Sequence, residues 1–167
     1  TLLLSNVWGR ILDRVSTAEV EPDFSFCRVN DAADHWEMRS ATPGVSNAEG
    51  IARLKTIPQL SHSSGFYEDA FDLQISAEGD VQIYYTLDGS VPTEKSKRYT
   101  APLVLNKTTA VRVACIEEDK LPSDVVTATY IINENHTLPV VSIVGVPNLI
   151  TGGGGIYQNY KADREVR

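Results

Sequence analysis

The amino-acid sequence predicts an all-β fold, an antiparallel β-sandwich with flanking partial β segments. Several short runs alternate apolar and polar residues with a period of two, and they are rich in β-branched and aromatic side chains. Turn-forming residues separate most of these runs. None of the longer stretches of the sequence has the periodicity of a helix. Short, regularly spaced strands with one apolar face are typical of a sandwich.

The beginning of the chain predicts three short strands, at residues 2–4, 11–15 and 24–29. Trp8-Gly9 is interpreted as the turn between the first two strands, and Thr42-Pro43-Gly44 as the turn that closes this segment. Residues 48–57 are predicted to form a short helical or irregular linker.

Longer strands follow. The runs that predict them cover residues 71–76, 81–88, 111–116, 126–131 and, after a polar loop, 138–146. Val111, Val113 and Cys115 recur at every second position, which places all three side chains on one face of a strand. We therefore expect Cys115 to be a small buried residue. The other cysteine, Cys27, is expected to be a separate reduced thiol, because no CxxC spacing is present and the two cysteines fall in different segments.

Charge excludes two classes of partner. The chain has 167 residues and a formal net charge of -7, with 15 basic residues scattered among 22 acidic ones. Phosphate backbones and anionic membranes favour clustered Lys and Arg, so we expect neither nucleic acid nor a membrane surface as the partner. No apolar run approaches the roughly 20 residues of a membrane-spanning helix, so no membrane insertion is expected.

A tyrosine-threonine string carries the first resemblance to a known family. It runs Tyr85-Thr86-Leu87-Asp88-Gly89-Ser90-Val91-Pro92-Thr93, and Arg98-Tyr99-Thr100-Ala101-Pro102 and Lys120-Leu121-Pro122-Ser123 follow in order. With these pieces, residues 58–132 resemble the chitobiase/β-hexosaminidase C-terminal domain. The resemblance implies an immunoglobulin-like or fibronectin-III-like sandwich.

A second resemblance lies in residues 1–47, carried by Asp23-Phe24-Ser25-Phe26-Cys27-Arg28, Trp36-Glu37-Met38 and Thr42-Pro43-Gly44. This segment is similar to the C-terminal part of a bacterial lamin-tail domain, although Cys27 and Ala32 depart from the family pattern. Because only half of that module is present, its strand edges and aromatic side chains need cover. We expect self-association of residues 1–47 with a second copy, or else packing against residues 133–167.

The third resemblance places the opening of a spore-coat protein H (CotH) kinase-like domain at residues 133–167. Leu138-Pro139-Val140-Val141-Ser142-Ile143 and Gly155-Ile156-Tyr157-Gln158-Asn159-Tyr160 carry it. The order of the three modules implies a larger secreted or cell-surface bacterial protein. The resemblance places the catalytic residues of that domain further along, so no catalytic residue is transferred to this chain, and no enzyme activity and no cofactor are expected.

Other patterns predict no chemistry. Gly152 to Gly155 lack the Gly-Lys-Ser/Thr ending of a phosphate-binding loop and are interpreted as a flexible run. Asp88-Gly89-Ser90 offers one carboxylate, too few for calcium, and is interpreted as a tight turn in which Asp88 bonds the backbone ahead. The three histidines have no metal-ligand spacing, so no metal site is predicted.

These observations predict a non-catalytic structural or spacer module that positions a downstream CotH-kinase-like domain. The alternative is a carbohydrate-binding accessory domain that contacts a glycan or another cell-surface component. Its candidate ligand surface is Tyr84 and Tyr99, whose rings could stack on sugars. An exposed row of aromatic side chains would favour the alternative. A pocket with converging carboxylates would favour a third hypothesis, an enzyme.

Overall fold

A computed structural model of the chain describes residues 1–16, 20, 24–31 and 33–145. The described residues form two compact units. The first contains residues from 1–53 together with 119–121, and the second contains residues 54–118 with those from 122 on. The Gly152 to Gly155 run, residues 146–167 of the predicted CotH-like opening, and Asp23 and Ala32 of the predicted lamin-tail segment lie outside the described residues.

The first unit consists of two antiparallel strand pairs. Strand β1 (Leu2–Ser5) pairs with β2 (Ile11–Val15), and β3 (Phe24–Arg28) pairs with β4 (Trp36–Ser40). The turn between β1 and β2 contains Gly9 at φ +78. The three predicted strands and this turn are confirmed, whereas β4 was not predicted.

The β3–β4 pair contains an aromatic stack and is joined to β2 by an ion pair. Phe26 stacks on Trp36 with ring centroids 5.8 Å apart. The Arg28 guanidinium lies 4.9 Å from the centroid of the same Trp36 ring and forms a 2.9 Å ion pair with Asp13 of β2. The predicted linker begins with one 3-10 turn, Asn47–Glu49, in which the Ser46 side chain accepts a hydrogen bond from the amide of Ala48.

The second unit contains nine strands: β5 (Gln59–Leu60), β6 (Gly65–Tyr67), β7 (Phe71–Leu73), β8 (Ile75–Ser76), β9 (Gln82–Thr86), β10 (Lys97–Arg98), β11 (Leu103–Leu105), β12 (Thr109–Ile116) and β13 (Val126–Ile132). One layer is a five-stranded sheet in the order β10-β9-β12-β13-β6, with β6 parallel to β13. The pairs β11-β7 and β5-β8 complete the sandwich. The predicted all-β sandwich is thus confirmed.

The core of this sandwich is formed by alternate side chains of its strands. Its buried members are Leu73, Ile75, Leu105, Val111, Val113, Ala128, Tyr130 and Ile132. Tyr130 is fully buried, and its hydroxyl donates to the carbonyl oxygen of His62 at 2.9 Å. Burial, with a smaller contribution from Tyr67, raises the pKa of Tyr130 to about 12.

Three predicted strands need correction. The run 71–76 is two strands, because β7 pairs with β11 whereas β8 pairs with β5. The run 81–88 is shortened to β9, so Leu87 falls beyond the strand and is 45% exposed. The predicted strand at 138–146 is wrong over its described part, residues 138–145, which pair with no strand. Pro139 lacks a backbone donor there, and most apolar side chains of the run are exposed.

Both cysteines are free and buried, as predicted. Cys115 is fully buried, its amide donates to Ser123 Oγ at 2.9 Å, and burial raises the pKa of its thiol. In the described part of the chain, no helix has the length and apolar character needed to cross a membrane.

Candidate functional site

The turn after β9 is held by three side-chain bonds. Thr86 Oγ1 donates to the carbonyl oxygen of Ser90 at 2.6 Å. Asp88 Oδ1 accepts from the Ser90 amide at 3.0 Å and from the Ser90 hydroxyl at 2.5 Å. The Ser90 hydroxyl, followed by its amide, holds the pKa of Asp88 below its usual range, so this carboxylate stays ionised. The interpretation as a tight turn is confirmed.

Gly89 occupies the centre of this turn and is buried. Its φ of +81 lies in the left-handed region that favours glycine. A second constraint comes from close packing, since a Cβ atom at this position would overlap the carbonyl oxygen of Gly145. The carbonyl oxygen of Gly89 accepts a 3.0 Å hydrogen bond from Arg112 Nη1. Gly89 therefore joins the turn, the sheet and the segment that follows β13.

Arg112 lies on the outer face of the five-stranded sheet, opposite the face that carries Val111 and Val113. In register it is flanked by Thr86 of β9 and Thr127 of β13. Its Nε atom is buried and has no hydrogen-bond partner among the described residues. A buried guanidinium N–H without an acceptor is uncommon, and it marks this position as one to explain.

The segment 133–145 begins with a sharp turn at the end of β13. Asn133 has a φ of 53 and donates from its amide to the carbonyl oxygen of Tyr67 at 2.9 Å. The Glu134 carboxylate accepts from the Thr108 hydroxyl and lies 2.9 Å from His136 Nε2. The Thr108 bond, followed by that to His136, lowers the pKa of Glu134.

Beyond this turn the segment touches the sheet at three further points. The centroid of the His136 ring lies 6.0 Å from the centroid of the Phe66 ring in β6. The Ser142 and Thr129 hydroxyls are 2.7 Å apart. Gly145 then packs on Gly89. These contacts follow the outer face from its β6 edge across β13 towards the turn after β9.

The two predicted ligand-surface tyrosines lie on different faces of the sheet. Tyr84 alternates with Ile83 and Tyr85, which pack on the core, so Tyr84 points outward, and its hydroxyl donates to Gln82 at 2.9 Å. Tyr99 packs against the core, and its hydroxyl accepts from the Ile75 amide at 3.1 Å. The two rings therefore do not share one platform.

Ser61 and His62 are in direct contact, since Ser61 Oγ lies 2.9 Å from His62 Nδ1. Ser61 Oγ also accepts from the Gln74 amide at 2.9 Å, and the His62 ring packs on Phe71 with a centroid separation of 4.3 Å. These contacts join β5 to the β7–β8 strands and indicate a structural role for the pair.

An open cleft of about 470 Å³ lies beside the turn. It is lined by Tyr85, Thr86, Leu87, Asp88, Ser90, Lys95, Ser96 and Lys97. Its one acidic side chain is the Asp88 carboxylate, which is engaged with Ser90. Within the described ranges, no group of three or more His, Cys, Asp or Glu residues could hold a metal ion.

Residues 71–130 match a family model described as Fn3 associated, which supports the predicted immunoglobulin/fibronectin-III-like class of the sandwich. The matched range includes the turn at Gly89, Arg112 and most of β13. No curated protein and no solved structure matches the chain.

Proposed function

We propose that this chain is a non-catalytic structural module whose sandwich fixes the polypeptide that follows it. The observation that carries this proposal is the segment 133–145, which returns along the outer face of the sheet and is held at Thr129 and Gly89. A free linker would leave the end of β13 without such contacts. A segment held at several points leaves the sandwich in a defined direction, which is what a spacer must supply.

The finer proposal is that the parent protein is a secreted or cell-surface bacterial protein. Its modules would be the C-terminal part of a lamin-tail domain (1–47), a chitobiase C-terminal-like sandwich (58–132) and a CotH-kinase-like domain opening at 133–167. The order of the three resemblances supports this proposal. The Fn3-associated match to residues 71–130 supports the sandwich fold of the middle module.

Paired cysteines test whether the segment is held on the sheet. In the variant Thr129→Cys/Ser142→Cys, the sulfurs would replace hydroxyls that are 2.7 Å apart. Under mild oxidation we expect this pair to form an intramolecular disulfide at least about tenfold faster than Thr127→Cys/Ser142→Cys, because a held segment has a high effective concentration at one partner only. Equal rates for the two pairs would contradict the proposal.

Affinity electrophoresis distinguishes the spacer from the carbohydrate-binding alternative. We expect the chain to migrate unretarded in gels that contain glycol chitin or xylan. Retardation that disappears in Tyr84→Ala, and persists in a control variant at the exposed Lys107, would replace the spacer proposal with a carbohydrate-binding function.

A further inference from the structure

We infer that the outer face of the five-stranded sheet carries a carboxylate-binding site at Arg112, which takes an acidic side chain of an extended peptide and is covered by the chain's own segment 137–145. The inference rests on the proposed function, because it requires that segment to be held on the sheet.

The guanidinium of Arg112 is oriented for such a ligand. Its Nη1 atom is committed to the carbonyl oxygen of Gly89 at 3.0 Å. The opposite edge consists of Nε and Nη2, two parallel donors whose spacing matches the two oxygens of a carboxylate. Nε is buried, and the part of the chain that the structure describes gives it no acceptor. The Thr86 and Thr127 side chains that flank Arg112 in register carry no negative charge.

The segment on this face does not supply the missing acceptor. Residues 137–145 read Thr-Leu-Pro-Val-Val-Ser-Ile-Val-Gly and contain no acidic side chain. The segment forms no helix, and it reaches the turn that anchors Arg112 through Gly145. The face therefore already holds a polypeptide segment without regular secondary structure, and we infer that the buried Nε donor favours a peptide that brings a carboxylate. The peptide and the segment compete for the same site. The apparent affinity for the peptide is therefore its intrinsic affinity multiplied by the fraction of molecules in which the site is uncovered.

Two glycine variants distinguish a protein in which segment 137–145 covers Arg112 from one in which that segment is released. Gly89 and Gly79 both have positive φ, +81 and +80, so alanine is strained at either position. Only at Gly89 would the new Cβ overlap Gly145, whereas nothing lies within 4 Å of a Cβ at Gly79. Gly89→Ala should therefore release the segment, and Gly79→Ala serves as the matched control.

The probe is a blocked peptide of alternating Thr and Glu, titrated against each protein while the Arg112 Nε–Hε resonance is followed by NMR. We expect binding to Gly89→Ala to be at least about tenfold tighter than to Gly79→Ala or the unaltered chain. The same peptide with Gln in place of Glu should leave the resonance unmoved. Equal effects of the two peptides, or an unmoved resonance in Gly89→Ala, would overturn the inference.

Arginine variants test the fork geometry against charge alone. Arg112→Lys keeps the positive charge but loses the parallel donors, and in the Gly89→Ala background it should weaken binding of the Glu peptide about tenfold or more. Arg98→Lys, at an exposed position on β10, should leave it unchanged. If the cross-link of Thr129→Cys/Ser142→Cys forms slowly, the proposed function fails. If it forms rapidly but the peptide does not bind, only the carboxylate site fails.

Discussion

Two strand pairs in this chain have similar apolar content, but the apolar side chains of one are exposed and those of the other are buried. In the β1–β2 hairpin of the first unit, Leu2, Leu3 and Leu4 are 66%, 60% and 61% exposed. In the β12–β13 pair of the second unit, Val111 and Tyr130 are fully buried. The first pair is a two-stranded sheet, whereas the second lies between β9 and β6 and is covered by the other layer of the sandwich.

In this chain, apolar side chains form a buried core where a second layer of strands covers them. Consecutive leucines in β1 point to alternate faces of the pair, so both faces are apolar. In β13, by contrast, Ala128, Tyr130 and Ile132 point inward as one set. We therefore infer that the second unit, which contains nearly all of the buried apolar side chains, supplies the stable framework of the chain.

Truncating one leucine in each unit gives the largest expected contrast. Leu73 is fully buried in the sandwich, and Leu73→Ala should lower the free energy of unfolding by about 2–5 kcal/mol. Leu3→Ala removes the same atoms from an exposed position and should change it by no more than about 0.5 kcal/mol. Urea unfolding of the two variants measures both values. Similar losses would show that β1 is as well packed as the sandwich core.

A buried tyrosine makes the sandwich sensitive to alkaline pH. The pKa of Tyr130 is raised from 10.0 to about 12 in the folded chain. The stability that this shift contributes is fully present below pH 10 and is lost as the pH rises through 12, about 3 kcal/mol in total. Tyr130→Phe should remove this component from the pH dependence of unfolding. An unchanged alkaline profile in the variant would contradict the burial argument.

Cys115→Ser introduces a hydroxyl into the same core and should have a smaller effect. Burial of a polar group costs about 1–3 kcal/mol, and we expect the lower end because Ser123 Oγ is at hand as a partner. Thermal or urea unfolding measures the loss. A loss above the range would mean that Ser123 cannot pair with the new hydroxyl.

The smallest effect on folding is expected at the tip of the first hairpin. Trp8 is 85% exposed, so Trp8→Ser should alter the free energy of unfolding by no more than about 0.5 kcal/mol. It should nevertheless weaken the predicted association of residues 1–47 with a second copy. Light scattering over a dilution series measures that association. If the unaltered chain stays monomeric at every concentration, association of residues 1–47 with a second copy is ruled out.

The sequence predicted the long strands better than the short ones. Strands β12 and β13 combine β-branched residues with a clean alternation, so the pattern defines them. By contrast, β5 and β10 contain only two residues each and exist because a neighbouring strand pairs with them. In β4, Glu37 and Arg39 are charged and bond to each other at 2.7 Å along the same strand, and β4 is defined by its pairing with β3, which the pattern does not reveal.

The candidate site likewise combines local features that the sequence predicts with long-range contacts that it does not. The turn at Asp88 and Gly89 was predictable, because an Asx bond and a positive φ are local properties. The packing of Gly145 on Gly89 joins residues far apart in the chain, and no local signal announces it. The unpaired Nε of Arg112 was equally hidden, because an arginine in an alternating strand is ordinarily a solvated residue.

Native-state thiol labelling tests the central claim, that the sandwich is the stable framework, most directly. Each unit contains one buried cysteine, Cys27 in the first and Cys115 in the second, so one experiment reports the opening of both. Labelling of the two sites is followed by mass spectrometry under native conditions. We predict that Cys27 reacts at least about tenfold faster, an opening free energy lower by about 1.4 kcal/mol. Labelling of Cys115 at the same rate as Cys27, or faster, would contradict the account.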